Sequence, residues 1–124
     1  MELYNGFSYE RWNKILKDPY YAASLSKIIE IAESYILNPP QRHTFSSMHL
    51  FVQTGDRRKF ESSYNELKGR VEMFFMAYLI SNDKKYIPHL CDAIWDVCNM
   101  ESWGLSAHVP ENEPLDKRRC WLEL

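Results

Sequence analysis

The residues best suited to chemistry lie between Asp92 and His108, where a helical pattern gives way to a loop that also contains Trp103. An indole ring stacks on flat apolar faces such as those of sugars, and an imidazole can donate, accept or transfer a proton near neutral pH. Glu101 adds a carboxylate that could act as a general base or bind a ligand. Trp103, His108 and Glu101 are therefore the candidate substrate-binding residues.

Each of these residues also has a purely structural interpretation. Trp103 can close the end of the helix, His108 can cap backbone carbonyl groups, and Glu101 can be a solvated residue at a helix end. The residue types alone do not decide between the two interpretations.

Other polar groups carry weaker signals. Arg57, Arg58 and Lys59 form a small basic cluster that could meet an anionic polymer, but a solvated helix start with local ion pairs is the simpler interpretation. His43 and His49 are six residues apart, which does not place two metal ligands on one helix face. The sequence contains no motif for a nucleophile, a phosphate-binding loop or a zinc site. We predict no catalytic residue, no metal and no cofactor.

The cysteines Cys91, Cys98 and Cys120 also argue against a metal site or a disulfide framework. Cys91 and Cys98 are seven residues apart, so helix geometry places their Cα atoms about 10 Å apart. That distance is beyond disulfide reach. We predict three reduced thiols in the core, as in a cytoplasmic protein.

Length and composition predict a single helical domain spanning residues 1–124. The chain is 45% hydrophobic and 15% aromatic, which supplies a core and excludes a disordered chain. A formal net charge of −2 is not the basic footprint of a nucleic-acid-binding protein. No window approaches the ~18 apolar residues of a membrane span, and no signal peptide is visible at the N-terminus. Cytoplasmic location is the default, although the sequence leaves localisation open.

Helical periodicity is strong along the chain, and strand signals are poor. Ser8 can cap the first helix, Pro19 suits the first turn of the second, and Asn38-Pro39-Pro40 ends it. Thr54 or Asp56 could cap the longest helix. The fold class is therefore all-α, with about four or five helices in antiparallel hairpins. The predicted helices cover residues 8–16, 19–38, 45–52, 57–80 and 87–98, with a final segment at 117–124.

The longest predicted helix has an apolar stripe along its whole length. Its members are four or three residues apart, namely Phe60, Tyr64, Leu67, Val71, Phe74 and Tyr78. After Glu72 the helix is apolar on nearly all sides, so this half should be covered by more than one neighbour. The short turn Ser81-Asn82-Asp83 predicts that the next helix packs antiparallel to it.

Two segments in the second half of the chain carry a family resemblance. The first runs from Thr44 to Phe51 and continues with Thr54-Gly55-Asp56-Arg57-Arg58-Lys59-Phe60-Glu61, and it resembles a "TGxRxxYE" stretch. The second, residues 93–108, resembles "IWxICxExSWxLPAH", with Ser106 where Pro is usual. Both stretches, in this order and at this separation, are typical of the heparinase II/III-like polysaccharide lyases. The resemblance covers about Phe45 to Leu124.

The resemblance implies a fold and a chemistry. The fold is an (α/α) toroid of antiparallel helical hairpins, followed in the family by a β-sandwich domain. The chemistry is β-elimination on polysaccharides that contain uronic acid, in which the uronate carboxylate is neutralised and a Tyr or His removes the C5 proton. The family's catalytic groups lie further along the toroid. The resemblance therefore places Trp103 and His108 near the cleft but assigns no catalytic base or acid to this chain.

The same resemblance implies that the chain is the N-terminal part of a larger lyase, inactive alone or at most a weak binder of acidic saccharide. An incomplete toroid would leave an apolar helix face bare around Trp95, Cys98 and Trp121, and such faces drive association. We therefore expect a homo-oligomer or another association through this edge. The alternative function class is a small helical interaction module without catalytic activity.

Overall fold

The computed structural model describes residues 8–100 and 104–107, and this part of the chain is all-α, with no strand. The all-α fold predicted from the periodicity is confirmed. The elements in chain order are α1 (Tyr9–Lys17), a 3₁₀ turn (Pro19–Tyr21), α2 (Ala22–Leu37), α3 (Phe45–Thr54), α4 (Arg58–Ser81) and α5 (Tyr86–Cys98).

Local side-chain chemistry explains most helix boundaries. The Ser8 hydroxyl accepts a hydrogen bond from the Arg11 amide, as predicted for the N-cap of α1. Thr44 and Ser47 form a reciprocal capping box at the start of α3. At the start of α4, Asp56 Oδ1 accepts from the Arg58 amide at 3.0 Å, so Asp56 satisfies one of the first amides of that helix.

Helices α4 and α5 form a hairpin that is joined by residues 82–85. Asn82 ends α4 with φ of 54°, in the left-handed region that Asn tolerates better than most residues, and its amide donates to Tyr78 O. The chain then reverses, and the ring of Phe74 on α4 lies 5.5 Å from the ring of His89 on α5. The predicted antiparallel packing of these two helices is confirmed.

Helix α2 packs on a second side of α4, so the apolar half of α4 has two neighbours, as predicted. Small residues at the contacts allow close approach of the helices. Phe75 points away from both neighbours and stays 48% exposed. The buried core where the three helices meet consists of Ala32, Phe74, Ala77, Tyr86 and Ala93.

The prediction of core thiols is wrong for Cys91 and Cys98. Both side chains are exposed and neither is in a disulfide. The buried face of α5 is centred on Ala93, whereas both cysteines lie on the opposite side of the helix. Hydrophobic periodicity shows that α5 has a broad apolar face. It does not show which part of that face the neighbouring helices cover. Cys120 and the predicted segment 117–124 lie outside the described residues.

Within the described part of the chain, the helices are either too short or too polar to cross a lipid bilayer.

Candidate functional site

The predicted substrate-binding residues Trp103, His108 and Glu101 all lie outside the described residues. The distances between these three side chains are therefore outside the described structure. The described residues nearest to them in sequence are α5 with the residues up to Met100, and the short stretch 104–107.

The stretch 104–107 is largely enclosed. Gly104 and Ser106 are buried, and Leu105 and Ala107 are half-buried. The Ser106 hydroxyl is enclosed without a hydrogen-bond partner among the described residues. A buried hydroxyl in this state costs about 1–3 kcal/mol. This stretch after α5 is thus buried and carries a hydroxyl group that has no hydrogen-bond partner in the described part of the chain.

The segment 54–61 is the corner between α3 and α4. Gly55 ends α3 with φ of 76°, in the left-handed region that favours glycine. The Thr54 hydroxyl donates to Leu50 O at 2.8 Å and accepts from the Asp56 amide at 3.2 Å. Most polar groups of this corner therefore serve the turn itself.

The basic cluster at this corner is exposed and locally paired. Both oxygens of Asp56 accept from the Arg58 guanidinium at 3.0 Å, and this hydrogen bonding lowers the pKa of the Asp56 carboxyl. Arg57 lies 3.6 Å from Glu61. The interpretation of residues 57–59 as a solvated, locally paired helix start agrees with this geometry.

His43 occupies an aromatic pocket that sequence reasoning missed. Its ring lies 5.3 Å from the ring of Phe60 and 6.3 Å from that of Tyr64, edge-on in both cases. The Ser63 hydroxyl is 3.5 Å from His43 Nδ1. Burial lowers the pKa of the His43 imidazole. No feature of the sequence around His43 indicated this pocket, because Phe60 and Tyr64 are 17 and 21 residues away.

The hydrogen bonds of the pocket favour one tautomer of His43. The Ser63 hydroxyl donates to Phe60 O at 2.9 Å, so a hydrogen bond between this hydroxyl and His43 requires the proton to be on Nδ1. Nε2 is then an unprotonated acceptor, and it is buried without a partner in the described part of the chain. This geometry opposes nucleophile activation, in which the imidazole must accept the serine proton.

A second polar cluster joins α2 to the start of α5. Glu33 accepts from Lys85 Nζ at 2.9 Å and from the Tyr86 hydroxyl through a short hydrogen bond. The hydrogen bond from Lys85, followed by that from Tyr86, lowers the pKa of the Glu33 carboxyl. Burial and the bond to Glu33 raise the pKa of the Tyr86 phenol. The cluster fastens α2 to the start of α5 through a salt bridge and a hydrogen bond.

The most exposed apolar surface of the hairpin is the outer face of α5. We call this face the α5 stripe, and its members are Ile87, Cys91, Ile94, Trp95 and Cys98. Trp95 is 71% exposed and Ile94 is 45% exposed. The expectation of a bare face around Trp95 and Cys98 agrees with this exposure, and Trp121 lies outside the described residues. The face offers apolar contact and two thiols.

The described residues contain no group of three or more His, Cys, Asp or Glu side chains that could hold a metal ion. The pocket of His43 supplies one imidazole without a carboxylate or thiolate partner, which is too few ligands for a protein metal site.

No protein-family model matches the chain, and no curated protein matches it in sequence.

Proposed function

We propose that the chain is the N-terminal helical part of a heparinase II/III-like polysaccharide lyase. Its helices form part of an (α/α) toroid, and its ligand is an acidic polysaccharide or oligosaccharide. Trp103, His108 and Glu101 border the saccharide cleft, and the catalytic groups are supplied by other parts of the full enzyme. The observation that carries the proposal is the ordered pair of segments at residues 54–61 and 93–108.

The topology supports a common role for the two segments. The first segment begins α4, and the second ends α5 and continues beyond it. Because α4 and α5 are antiparallel, the end of α5 returns towards the end of the hairpin at which α4 starts. The 13 residues of α5 span about 20 Å of the roughly 36 Å covered by α4. The end of α5 is thus directed towards the start of α4 and stops about 16 Å short of it.

The packing after α5 also supports a site at that end. Gly104 and Ser106 are buried, so the backbone between Trp103 and His108 is held against the protein instead of extending into solvent. A short segment held in this way is suited to position an aromatic ring and an imidazole.

A saccharide titration tests the proposal. Heparin, heparan sulfate and alginate oligosaccharides are added to the chain, and binding is followed by calorimetry and by amide shifts in NMR spectra. We expect weak binding that Trp103→Ala reduces by up to about 10-fold, since aromatic contacts contribute about 0.5–1.5 kcal/mol. Trp95→Ala is the matched control, because Trp95 lies on the outer face of α5. Absence of binding to all three, or equal losses in both variants, would overturn the proposal.

An activity assay tests the absence of catalytic groups. The chain is incubated with the same polysaccharides, and the absorbance of the 4,5-unsaturated uronate product is followed. We expect no turnover. Robust turnover would show that a base and an acid lie within these residues and would contradict the assignment of an inactive part.

The second candidate function is a helical interaction module without a carbohydrate role. The α5 stripe favours it, because an exposed Trp flanked by apolar residues is typical of a protein contact surface. The two candidates differ in one measurement. A module would leave all saccharides unbound and would bind another polypeptide through α5.

A further inference from the structure

His43 joins the segment that contains α3 to the side of α4. It lies in the loop 38–44 between α2 and α3, and its ring stands edge-on to the rings of Phe60 and Tyr64, at 5.3 and 6.3 Å. Both aromatic side chains are only 3% exposed. The Ser63 hydroxyl, 3.5 Å from Nδ1, adds a polar contact. The imidazole is thus an anchor between this loop and α4.

Helix α3 has few anchors of its own. Its one buried residue is Ser47, whose hydroxyl is engaged in the capping box with Thr44. Phe45 and Val52 are exposed, and the buried core where α2, α4 and α5 meet contains no residue of α3. A helix with so few buried apolar side chains can open locally while the core stays folded.

Protonation of His43 is unfavourable inside its pocket. An imidazolium donates from both ring nitrogens. A donor on Nδ1 can bond to the Ser63 hydroxyl, but Nε2 is buried without a hydrogen-bond partner in the described part of the chain. A second N–H at this place would be enclosed without an acceptor, on a ring that now carries a charge. Burial accordingly lowers the pKa of the His43 imidazole, and this outweighs a weaker backbone interaction with Ser63 that raises it.

The charged groups of α4 around the pocket do not offset a positive charge on His43. Glu61 is engaged with Arg57, at 3.6 Å. Lys68 lies over the ring of Tyr64, 5.3 Å from its centroid, and is itself a cation. Among the described residues, no carboxylate lies within 4 Å of the His43 ring nitrogens. Protonation therefore weakens the attachment of the ring instead of replacing one contact by another.

We infer that His43 is a pH-sensitive latch: the neutral imidazole holds α3 on α4, and protonation releases the ring, so that α3 opens while the core of α2, α4 and α5 stays folded. This regulation goes beyond the proposed saccharide role and does not depend on it. A released ring protonates at the ordinary histidine pKa of about 6.5, whereas the ring in its pocket protonates only at lower pH. The latch is thus closed above about pH 6.5, and its opening increases as the pH falls below that value.

Native-state hydrogen exchange on the whole chain tests the latch. The equilibrium constant for opening is measured by NMR for amides 48–54 of α3 and for amides 74–80 of α4, at pH 7.5 and 5.0 and at several low urea concentrations, after correction for the intrinsic exchange rate. We expect the opening constant of α3 to increase by up to about 30-fold at pH 5.0, the ratio set by protonation of a released ring with a pKa of about 6.5. At both pH values α3 should open more readily than the core of α4, and with a weaker dependence on urea.

Two histidine variants identify the group that is responsible. His43→Phe keeps a ring for the pocket but cannot be protonated, so the pH-dependent increase should fall to less than about 3-fold. His49→Phe is the matched control, because His49 is the histidine within α3 and its ring stacks on Phe45 instead of entering the pocket. It should retain the full increase. Arg42, beside His43, is exposed and keeps its charge throughout this pH range.

A titration of the parent chain needs no variant and so remains decisive if His43→Phe does not fold. The amide signals of α3 should shift with the same midpoint as the His43 ring, below pH 6.5. Titration of the ring without any change in the α3 signals would overturn the inference. So would an opening constant of α3 that does not change with pH, one that equals that of the core at each pH, or one whose increase is lost in His49→Phe instead of His43→Phe.

Discussion

The guanidinium of Arg70 lies over the ring of Tyr35, 4.5 Å from its centroid, and donates a hydrogen bond to the carbonyl oxygen of the same residue. It also donates to Asn38 O at 2.6 Å and to Glu66 at 2.7 Å. Helix α2 ends at Leu37, so these carbonyls have no amide partner within the helix. One buried cation on α4 therefore completes the C-terminus of α2.

Arg70 is accordingly a sensitive point for stability. Arg70→Met would leave the carbonyls of Tyr35 and Asn38 and the carboxylate of Glu66 without their donor. We expect a loss of about 3 kcal/mol in the free energy of unfolding. Arg70→Lys should lose less, because it keeps the charge but cannot reach all three acceptors. The measurement is urea denaturation followed by circular dichroism.

Arg58→Met is the matched control for Arg70. Arg58 is also ion-paired with a carboxylate, but its side chain is 88% exposed. We expect no measurable change in the denaturation midpoint. Equal effects of the two substitutions would contradict the capping role of Arg70.

The two glycines within and beside α4 should respond with opposite signs to alanine. Gly55 has φ of 76°, so Gly55→Ala should destabilise by about 1–2 kcal/mol although its Cβ would meet no atom. Gly69 is inside a helix, and an added Cβ would be in ordinary contact with the Tyr35 hydroxyl at 3.4 Å. Gly69→Ala should therefore be neutral or stabilise by up to about 1 kcal/mol. Thermal melts measure both, and equal signs would refute the conformational assignment.

The Glu33 cluster predicts a specific loss of stability in acid. Its hydrogen bonds from Lys85 and Tyr86 lower the folded-state pKa of the carboxyl below its unfolded value. The stabilisation is thus complete above the unfolded pKa, about 4.3, and is lost as the pH falls through the folded pKa. In Glu33→Gln, the melting temperature should depend less on pH over this acid range. Glu30→Gln, whose carboxylate is paired on the surface with Lys27, should retain the parental profile.

The pKa of His43 should lie below the ordinary value of a histidine, and the neutral ring should occupy one tautomer. Burial lowers its pKa, so the folded state resists protonation, and stability is present above the unfolded pKa of about 6.5 and falls as the pH drops below it. We expect NMR titration to place the pKa of His43 below the unfolded value, with the proton on Nδ1 at neutral pH. A proton on Nε2 would contradict the hydrogen-bond assignment. As a chemical check, Ser63 should stay unmodified by fluorophosphonates, because its hydroxyl donates its proton in a hydrogen bond to Phe60 O instead of to a base.

Local sequence signals were sufficient for most of the fold. Apolar residues at steps of three and four define the helices, and Ser8, Pro39-Pro40 and Gly55 mark boundaries through capping, a missing amide and a left-handed backbone. These effects act within one or two turns of the chain, so they can be read without knowledge of the neighbours. The turn at 81–83 predicted the antiparallel hairpin for the same reason.

The three-dimensional packing decided which part of each apolar stripe is covered. The sequence predicted buried thiols at Cys91 and Cys98, but α4 covers only the side of α5 centred on Ala93, and the thiols face outward. The candidate site residues Trp103, His108 and Glu101 remain predictions. The sequence around Arg70 does not show that its side chain is buried, because its hydrogen-bond partner at the end of α2 lies 35 residues away. The sequence around His43 does not show its aromatic pocket, because α4 supplies the aromatic rings. Helix periodicity is a property of neighbouring residues, whereas burial, capping across helices and the pKa of His43 depend on residues that only folding brings into contact.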